Sequence, residues 1–255
     1  MTKLAIDSLT LSIGNKTLCH NLNFTISSNQ FWGLLGKNGA GKTTLLHSIL
    51  GIFEPAKGSI SFDSVPIQNY SRLELARRVG ILFQEKLNSL PATVLETVLL
   101  GRYPYAQSFF QDSPDDLRFI EVILKELSLE ILKNRKLETL SGGELQRVAI
   151  AMLLAQEPNM FLLDEPNNNL DITFQISLLK ALKNRVNKSS GSVLMATHDI
   201  NLAARFCDRF ILLINENEFL VGNKQEILST ENLSRAYDCE VSVVSEGEKT
   251  LYYPI

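Results

Sequence analysis

Phe31-Trp32-Gly33-Leu34-Leu35-Gly36-Lys37-Asn38-Gly39-Ala40-Gly41-Lys42-Thr43 is the stretch that decides how this chain folds. The short apolar run Phe31 to Leu35, bounded by glycine, predicts a buried strand, and a helix is expected to start near Lys42, giving half of a βαβ unit. Between them, Gly36 to Thr43 satisfies the glycine-rich phosphate-loop pattern in the context that pattern requires, a strand before it and a helix after it. Glycines let backbone amides curl around anionic oxygens, and the helix N-terminus adds positive potential. Gly36, Asn38, Gly39, Ala40, Gly41, Lys42, Thr43 and Thr44 are the residues expected around the phosphates. Lys42 would reach the β and γ phosphates and Thr43 would ligate Mg²⁺.

Working outward, the apolar runs Val79 to Phe83, Met160 to Leu163, Ser192 to Ala196 and Phe210 to Ile214 predict further buried strands. Helices are expected between them at Gly143 to Ala155 and Ile172 to Val186, where Ile172, Ile176, Leu179, Leu182 and Val186 recur at helical spacing. This alternation implies an α/β fold with a mostly parallel sheet and helices on both faces. Two alternating stretches, Leu4 to Leu11 and Leu22 to Ile26, flank the polar break Gly14-Asn15-Lys16. With Ser59 to Phe62 they read as an N-terminal antiparallel β subdomain. Between Gln84 and Leu140 only helices are expected, at Thr93 to Leu100 and at Asp115 to Leu127, where Leu117, Ile120, Leu124 and Leu127 share a face. The chain therefore divides into a core at 1–84 and 156–255 with an α-helical subdomain inserted at 85–155, all within a single domain of 255 residues. From Lys224 onward, short helices at Gln225 to Leu228 and Glu231 to Tyr237, then two strands flanking Glu246-Gly247-Glu248, read as a small appendage.

An apolar share of 45% can fill a sizeable core, and a net charge of −3 with scattered Lys and Arg offers no basic field for nucleic acid. Cys19, Cys207 and Cys239 are odd in number and far apart, as expected of reduced, buried thiols rather than a disulfide framework or a zinc site. Met1 to Thr10 lacks the pattern of a secretory signal. No run approaches the roughly 18 apolar residues of a membrane span, so a role at a membrane would need another chain to cross it.

Phe161-Leu162-Leu163-Asp164-Glu165 is an apolar strand ending in two carboxylates at the sheet edge where open α/β folds bind ligands. Asp164 is expected to hold Mg²⁺, directly or through water, and Glu165 to act as the general base on the attacking water. Gln84 and His198 each follow a predicted strand and reach the same edge. Gln84 could touch the metal or the water, and the His198 ring could donate a hydrogen bond to the γ-phosphate. His20 and His47 read as structural. Leu140-Ser141-Gly142-Gly143-Glu144 opens a helix with Ser141 near its cap, a second anion-binding terminus. With only one full phosphate loop per chain, a head-to-tail pair in which each Ser141 and Gly143 closes the other subunit's nucleotide is the economical arrangement.

In their order and spacing, Gly36 to Thr43, Gln84, Leu140 to Glu144, Asp164-Glu165, Asn169-Leu170-Asp171 and His198 resemble the ATP-binding cassette (ABC) ATPases over nearly the whole chain. The resemblance implies the ABC ATPase core, two ATP molecules sandwiched in a homodimer with Ser141, Gly142 and Gly143 reaching across, Asp171 at the dimer contact, and reopening on hydrolysis. Leu100-Gly101-Arg102-Tyr103-Pro104 and the tail from Ile227 through Tyr237 to Val241 are similar to importer ATPases serving iron-chelate, haem and cobalamin uptake. That likeness implies a peripheral subunit on the cytoplasmic side of the cell (inner) membrane. Its partners would be integral membrane permease subunits and, indirectly, a periplasmic or surface solute-binding protein. Gln84 to Tyr105 would border the groove for a membrane subunit's helix, and Tyr103, Tyr105, Phe109 and Phe110 belong either to that interface or to packing of the helical subdomain. Two positions depart from the family pattern: Ile13 stands where many relatives stack an aromatic on adenine, and Pro166-Asn167-Asn168-Asn169 is asparagine-rich where Thr is common. The rival readings are a soluble non-transport ABC ATPase, such as an iron-sulfur cluster assembly factor, and a regulatory module that binds nucleotide without hydrolysing it.

Overall fold

The computed structural model describes residues 3–14, 16–84, 90–106, 113–167, 170–247 and 249–255. Asn15, Phe109, Phe110, Asn168, Asn169 and Glu248, singled out above, lie outside the described residues. Strands β1 (Lys3–Ile13) and β2 (Lys16–Ser27) pair antiparallel with Leu4 opposite Ile26 and Ile6 opposite Phe24. The period-2 alternation puts Leu4, Ile6, Leu22, Phe24 and Ile26 on the buried face. Next come β3 (Phe31–Leu35), α1 (Lys42–Ile49), β4 (Lys57–Phe62), β5 (Val65–Pro66), α2 (Arg72–Arg78) and β6 (Val79–Leu82). The β4 strand joins β1, giving a four-stranded antiparallel sheet in the order β2-β1-β4-β5.

The inserted helices follow: α3 (Val94–Leu99), running into a 3₁₀ turn at Leu100–Tyr105, α4 (Pro114–Glu126) and α5 (Gly142–Ala155). Arg102 ties them together. Its guanidinium pairs with Asp116 at 2.6 Å and Glu157 at 2.8 Å, and donates to the Ala155 carbonyl at 2.8 Å. Gly101 lies so close to the α5 backbone at Met152 that a side chain there has no room. The chain then returns to the core through β7 (Met160–Asp164), α6 (Ile172–Ser189), β8 (Ser192–Ala196), α7 (Ile200–Phe206), β9 (Arg209–Asn215) and β10 (Glu218–Asn223). The second sheet has the order β10-β9-β3-β8-β7-β6, parallel except for the antiparallel edge strand β10. Every residue of β3, β7 and β8 is buried, as a parallel strand covered on both faces must be. One apolar cluster joins this sheet to α3 to α7, and a second lies between it, α1 and the antiparallel sheet. The tail forms α8 (Lys224–Ile227), α9 (Thr230–Tyr237) and the hairpin β11 (Val241–Glu246) with β12 (Lys249–Pro254).

Three expectations need correction. Ile172, the first residue of α6, is 73% exposed, and the buried face of that helix is Leu178, Leu179, Leu182 and Val186. Leu117, in the acid-rich first turn of α4, is exposed, whereas Ile123 is buried. Cys19 and Cys207 are buried thiols, but Cys239 follows the left-handed turn that ends α9 and is exposed. Among the described residues, no helix is long and apolar enough to cross a membrane.

Candidate active site

Strands β3, β6, β7 and β8 all end at one edge of the parallel sheet, and a cleft of about 350 Å³ opens there. Ile13, Leu18, Asn38, Gly39, Gly41, Lys42, Thr43, Thr44, Gln84, Asp164 and Glu165 line it. These residues come from five separated segments, which the sheet brings to one place. Gly41 is the N-cap of α1 with φ 99°, a left-handed conformation that suits glycine. No side chain caps this helix start, so its amides remain open to an anion. Gly36 and Ala40 stand behind the wall: the Gly36 carbonyl holds Lys42, and the Ala40 amide donates to the Lys37 carbonyl at 3.2 Å, closing the loop.

Lys42 is only 7% exposed, and its ammonium donates to the carbonyls of Gly36 at 2.7 Å and Lys37 at 3.2 Å. Burial pulls its pKa down, and the carboxylates of Glu165 and Asp164 partly restore it. Asp164, at the end of β7, is pushed the other way. Burial raises its pKa, while the Thr43 hydroxyl, His47 and Lys42 pull it back. Its Oδ2 is buried without a hydrogen-bond partner. An orphaned carboxylate oxygen beside a threonine hydroxyl, with Gln84 on the same wall, is a set of hard oxygen donors that fits a divalent cation such as Mg²⁺.

The backbone of Glu165 takes φ 50°, left-handed for a non-glycine residue, a conformation that costs on the order of 1 kcal/mol. It is held there by its amide, which donates to the Ala196 carbonyl at 2.9 Å. This turn re-aims the carboxylate toward His198, whose Nδ1 lies 2.8 Å from Oε2. The Glu165 side chain is 7% exposed and that of His198 58%, so the carboxylate lies inside and the imidazole at the rim. A buried carboxylate braced by an imidazole can orient a water and take its proton.

Other expected residues are not gathered here. Ser141 caps α5 in a closed capping box: its hydroxyl and its amide each reach Glu144 Oε2 at 2.7 Å, holding the Glu144 carboxyl below the usual range. Asp171 caps α6 by accepting from the Phe174 amide at 2.9 Å. Neither residue, nor Gly142 or Gly143, lines the cleft within the chain. The Gln175 amide braces the segment after Glu165 through the carbonyls of Asn167 at 2.8 Å and Leu170 at 2.9 Å.

His47, read as structural, stands near enough to Asp164 to lower its pKa, and its ring contacts Phe53 and Phe83 at 5.6 and 5.5 Å. Its four-residue spacing from Thr43 on one helix is the signal that could have found it. Of the four aromatics named above, Tyr103 and Tyr105 are among the described residues. Tyr105 is a packing residue, flanked by Arg77 and Arg102, with its hydroxyl donating to the Gln156 carbonyl at 3.1 Å. Tyr103 is 44% exposed on the same turn, against which α2 packs, and Leu73 of α2 and Leu100 are exposed with it.

The family model for ABC transporters matches residues 19–168. The ferric enterobactin transport ATP-binding protein FepC of Escherichia coli is 35% identical over 247 residues, covering 96% of this chain and 91% of that protein. The hemin import ATP-binding protein HmuV of Bordetella avium is also 35% identical, covering 94% of each. A solved structure described as an inward-facing, metal-chelate type ABC transporter superposes with a TM-score of 0.82 at 27% identity, over 100% of this chain and 98% of that one.

Proposed function

The chain belongs to the ABC transporter family and is an ATPase, and from that premise we propose that it powers an importer of a metal chelate, of the iron-siderophore, haem or cobalamin type. The FepC and HmuV likeness over nearly full length supports this class of cargo. The cassette itself needs no contact with the cargo, whose selection falls to the permease and to a solute-binding protein outside the membrane. It works peripherally on the cytoplasmic face, as a homodimer seated on permease subunits.

The site is proposed to run as follows. ATP lies along the loop Gly36 to Thr44 with its base against Ile13, and Lys42 moves from the loop carbonyls onto the β and γ phosphates. Thr43, Asp164 and Gln84 would hold Mg²⁺, which would supply neutralisation of charge on the phosphate oxygens. Glu165 takes the proton of the attacking water, and His198 orients Glu165 and reaches the γ-phosphate. Ser141, Gly142 and Gly143 of a second copy cover the nucleotide, with Asp171 at the contact.

The observation that carries the reading is that Lys42, Asp164 and Glu165 share one cleft whereas the Ser141 helix start stands apart from it, closed on its own Glu144. A catalytic half and a covering half on one chain call for two chains. Glu165→Gln with Mg-ATP should therefore sediment as a dimer, and a monomer at high concentration, with and without permease, would sink the sandwich. The permease contact is tested in a Cys239→Ser background. A cysteine at Tyr103 should crosslink to a co-expressed membrane subunit, and no crosslink to any partner encoded beside the chain would refute that placement.

A further inference from the structure

The C-terminal appendage reaches back over 200 residues to the phosphate loop, and we propose that Asp238 is a positioning residue for nucleotide binding, holding Lys37 so that the loop keeps its shape when Lys42 leaves it. This rests on the nucleotide reading of the cleft and adds a part to it. The α9 helix ends at Tyr237, and Asp238 follows as its C-cap with φ 54°, a left-handed turn that aims the carboxylate at the loop. The Asp238 carboxylate pairs with the Lys37 ammonium at 2.5 Å. Beside it, Tyr237 wedges under the loop. Its hydroxyl is buried, facing the Gly36 amide without forming a hydrogen bond, and burial pushes its pKa up to about 12, with Glu165 and Asp199 adding negative charge nearby.

Gly36 and Lys37 are also the two residues whose carbonyls hold the Lys42 ammonium, at 2.7 and 3.2 Å. Serving a triphosphate takes Lys42 off both carbonyls and leaves the loop with the weaker internal tie from the Ala40 amide to the Lys37 carbonyl at 3.2 Å. The contacts of Tyr237 and Asp238 remain, and they come from an element anchored elsewhere. The Asn201 side chain exchanges two hydrogen bonds with the Tyr252 backbone, at 2.9 and 2.8 Å, fixing the hairpin to α7. That helix is capped by Asp199, the neighbour of His198. One appendage thus links the loop that holds the phosphates to the helix behind the catalytic histidine.

The partners Lys37 and Asp238 are 46% and 68% exposed, so the pair is worth an effect of about two- to fivefold at low salt and is screened at high salt. The test is a double-mutant cycle on the full-length chain with Lys37→Ala, Asp238→Ala and both, reading the KM for ATP, kcat and Tm. Long-range effects of the two charges on a triphosphate multiply independently, whereas a clamp makes them depend on each other. The expected result is a coupling of about threefold in KM that disappears in high salt, with no matching coupling in kcat or Tm. Independent effects at low salt, repeated with Asp238→Asn in case the alanine variant folds poorly, would overturn the clamp. A coupling that appears equally in Tm would overturn it too, by making the pair merely structural. A wild-type chain without ATPase activity would instead remove the nucleotide reading on which it rests.

Discussion

Replacing Ile13 with tyrosine should tighten ATP binding and sharpen its distinction from GTP. Ile13 ends β1 at the mouth of the cleft, 53% exposed, with Leu18 beside it. Fully burying an isoleucine is worth about 1.5–3 kcal/mol, so a base that covers the exposed half gains roughly 1 kcal/mol. A ring stacked on a base is worth about 1–3 kcal/mol. The difference, on the order of 1 kcal/mol, corresponds to about a fivefold fall in KM for ATP. Apolar cover is also indifferent to which purine it touches. The wild-type chain should therefore separate ATP from GTP only weakly, and the tyrosine variant should widen the gap. Steady-state phosphate release from both nucleotides measures this directly, with Ile13→Ala as the opposite control, which should raise KM by about fivefold. If neither substitution moves KM, the base does not lie against β1, and the orientation of the nucleotide in the cleft has been drawn wrongly.

Losing the Glu165 carboxylate while keeping its shape, in Glu165→Gln, should leave ATP binding intact and slow phosphate release by about 10²-fold or more, the scale of a lost general base. Normal turnover in that variant would take the proton-accepting role away from Glu165. Tyr237 gives a stability prediction at alkaline pH. Its pKa is raised from 10.0 to about 12 because burial disfavours the phenolate, so the folded chain holds a proton that the unfolded chain has released. The stabilisation is complete below pH 10 and is lost as pH rises toward 12, amounting to roughly 1 kcal/mol by pH 11. Chemical denaturation of wild type and Tyr237→Phe at neutral pH and at pH 11 should show this extra loss in the wild type only. Equal losses would mean that the hydroxyl is solvated.

The parallel core was legible because its strands are continuous apolar runs, and the glycine-rich loop between β3 and α1 because its signal is local, with glycines, lysine and threonine adjacent in sequence. Where burial is one-sided or partners are distant, the signal fails. The α2 helix carries Arg-Leu-Glu-Leu-Ala-Arg-Arg and buries only Leu75, so it shows no apolar stripe. The β10 strand pairs only with β9 at the sheet edge, has a single buried residue, and follows a polar turn, and no alternation marks it. The spacing at α6 was right, but periodicity cannot tell which turns of a helix are covered, and Ile172 in the first turn is exposed. The pairing of Lys37 with Asp238 joins two common charged residues from opposite ends of the chain. The left-handed backbone of Glu165, which turns its carboxylate to His198, has no counterpart in residue type.

The electrostatics of the cleft explain why nucleotide and cation should bind as one. Burial lowers the pKa of Lys42 and raises that of Asp164, so both groups are least comfortable in the charged forms that the chemistry needs. Their mutual attraction, with Glu165 beside them, only partly offsets this. Lys42 makes do with loop carbonyls, and Asp164 Oδ2 has no partner. A triphosphate alone would satisfy Lys42 but bring several negative charges up to two carboxylates. The proposed divalent cation alone would satisfy Asp164 but crowd a buried ammonium. Each ligand would remove the repulsion that the other creates, so the site is poised to favour the complex of the two over either separately, and in the proposed homodimer the strain relieved at Lys42 and Asp164 would become available to draw the second copy's Ser141 over the phosphates.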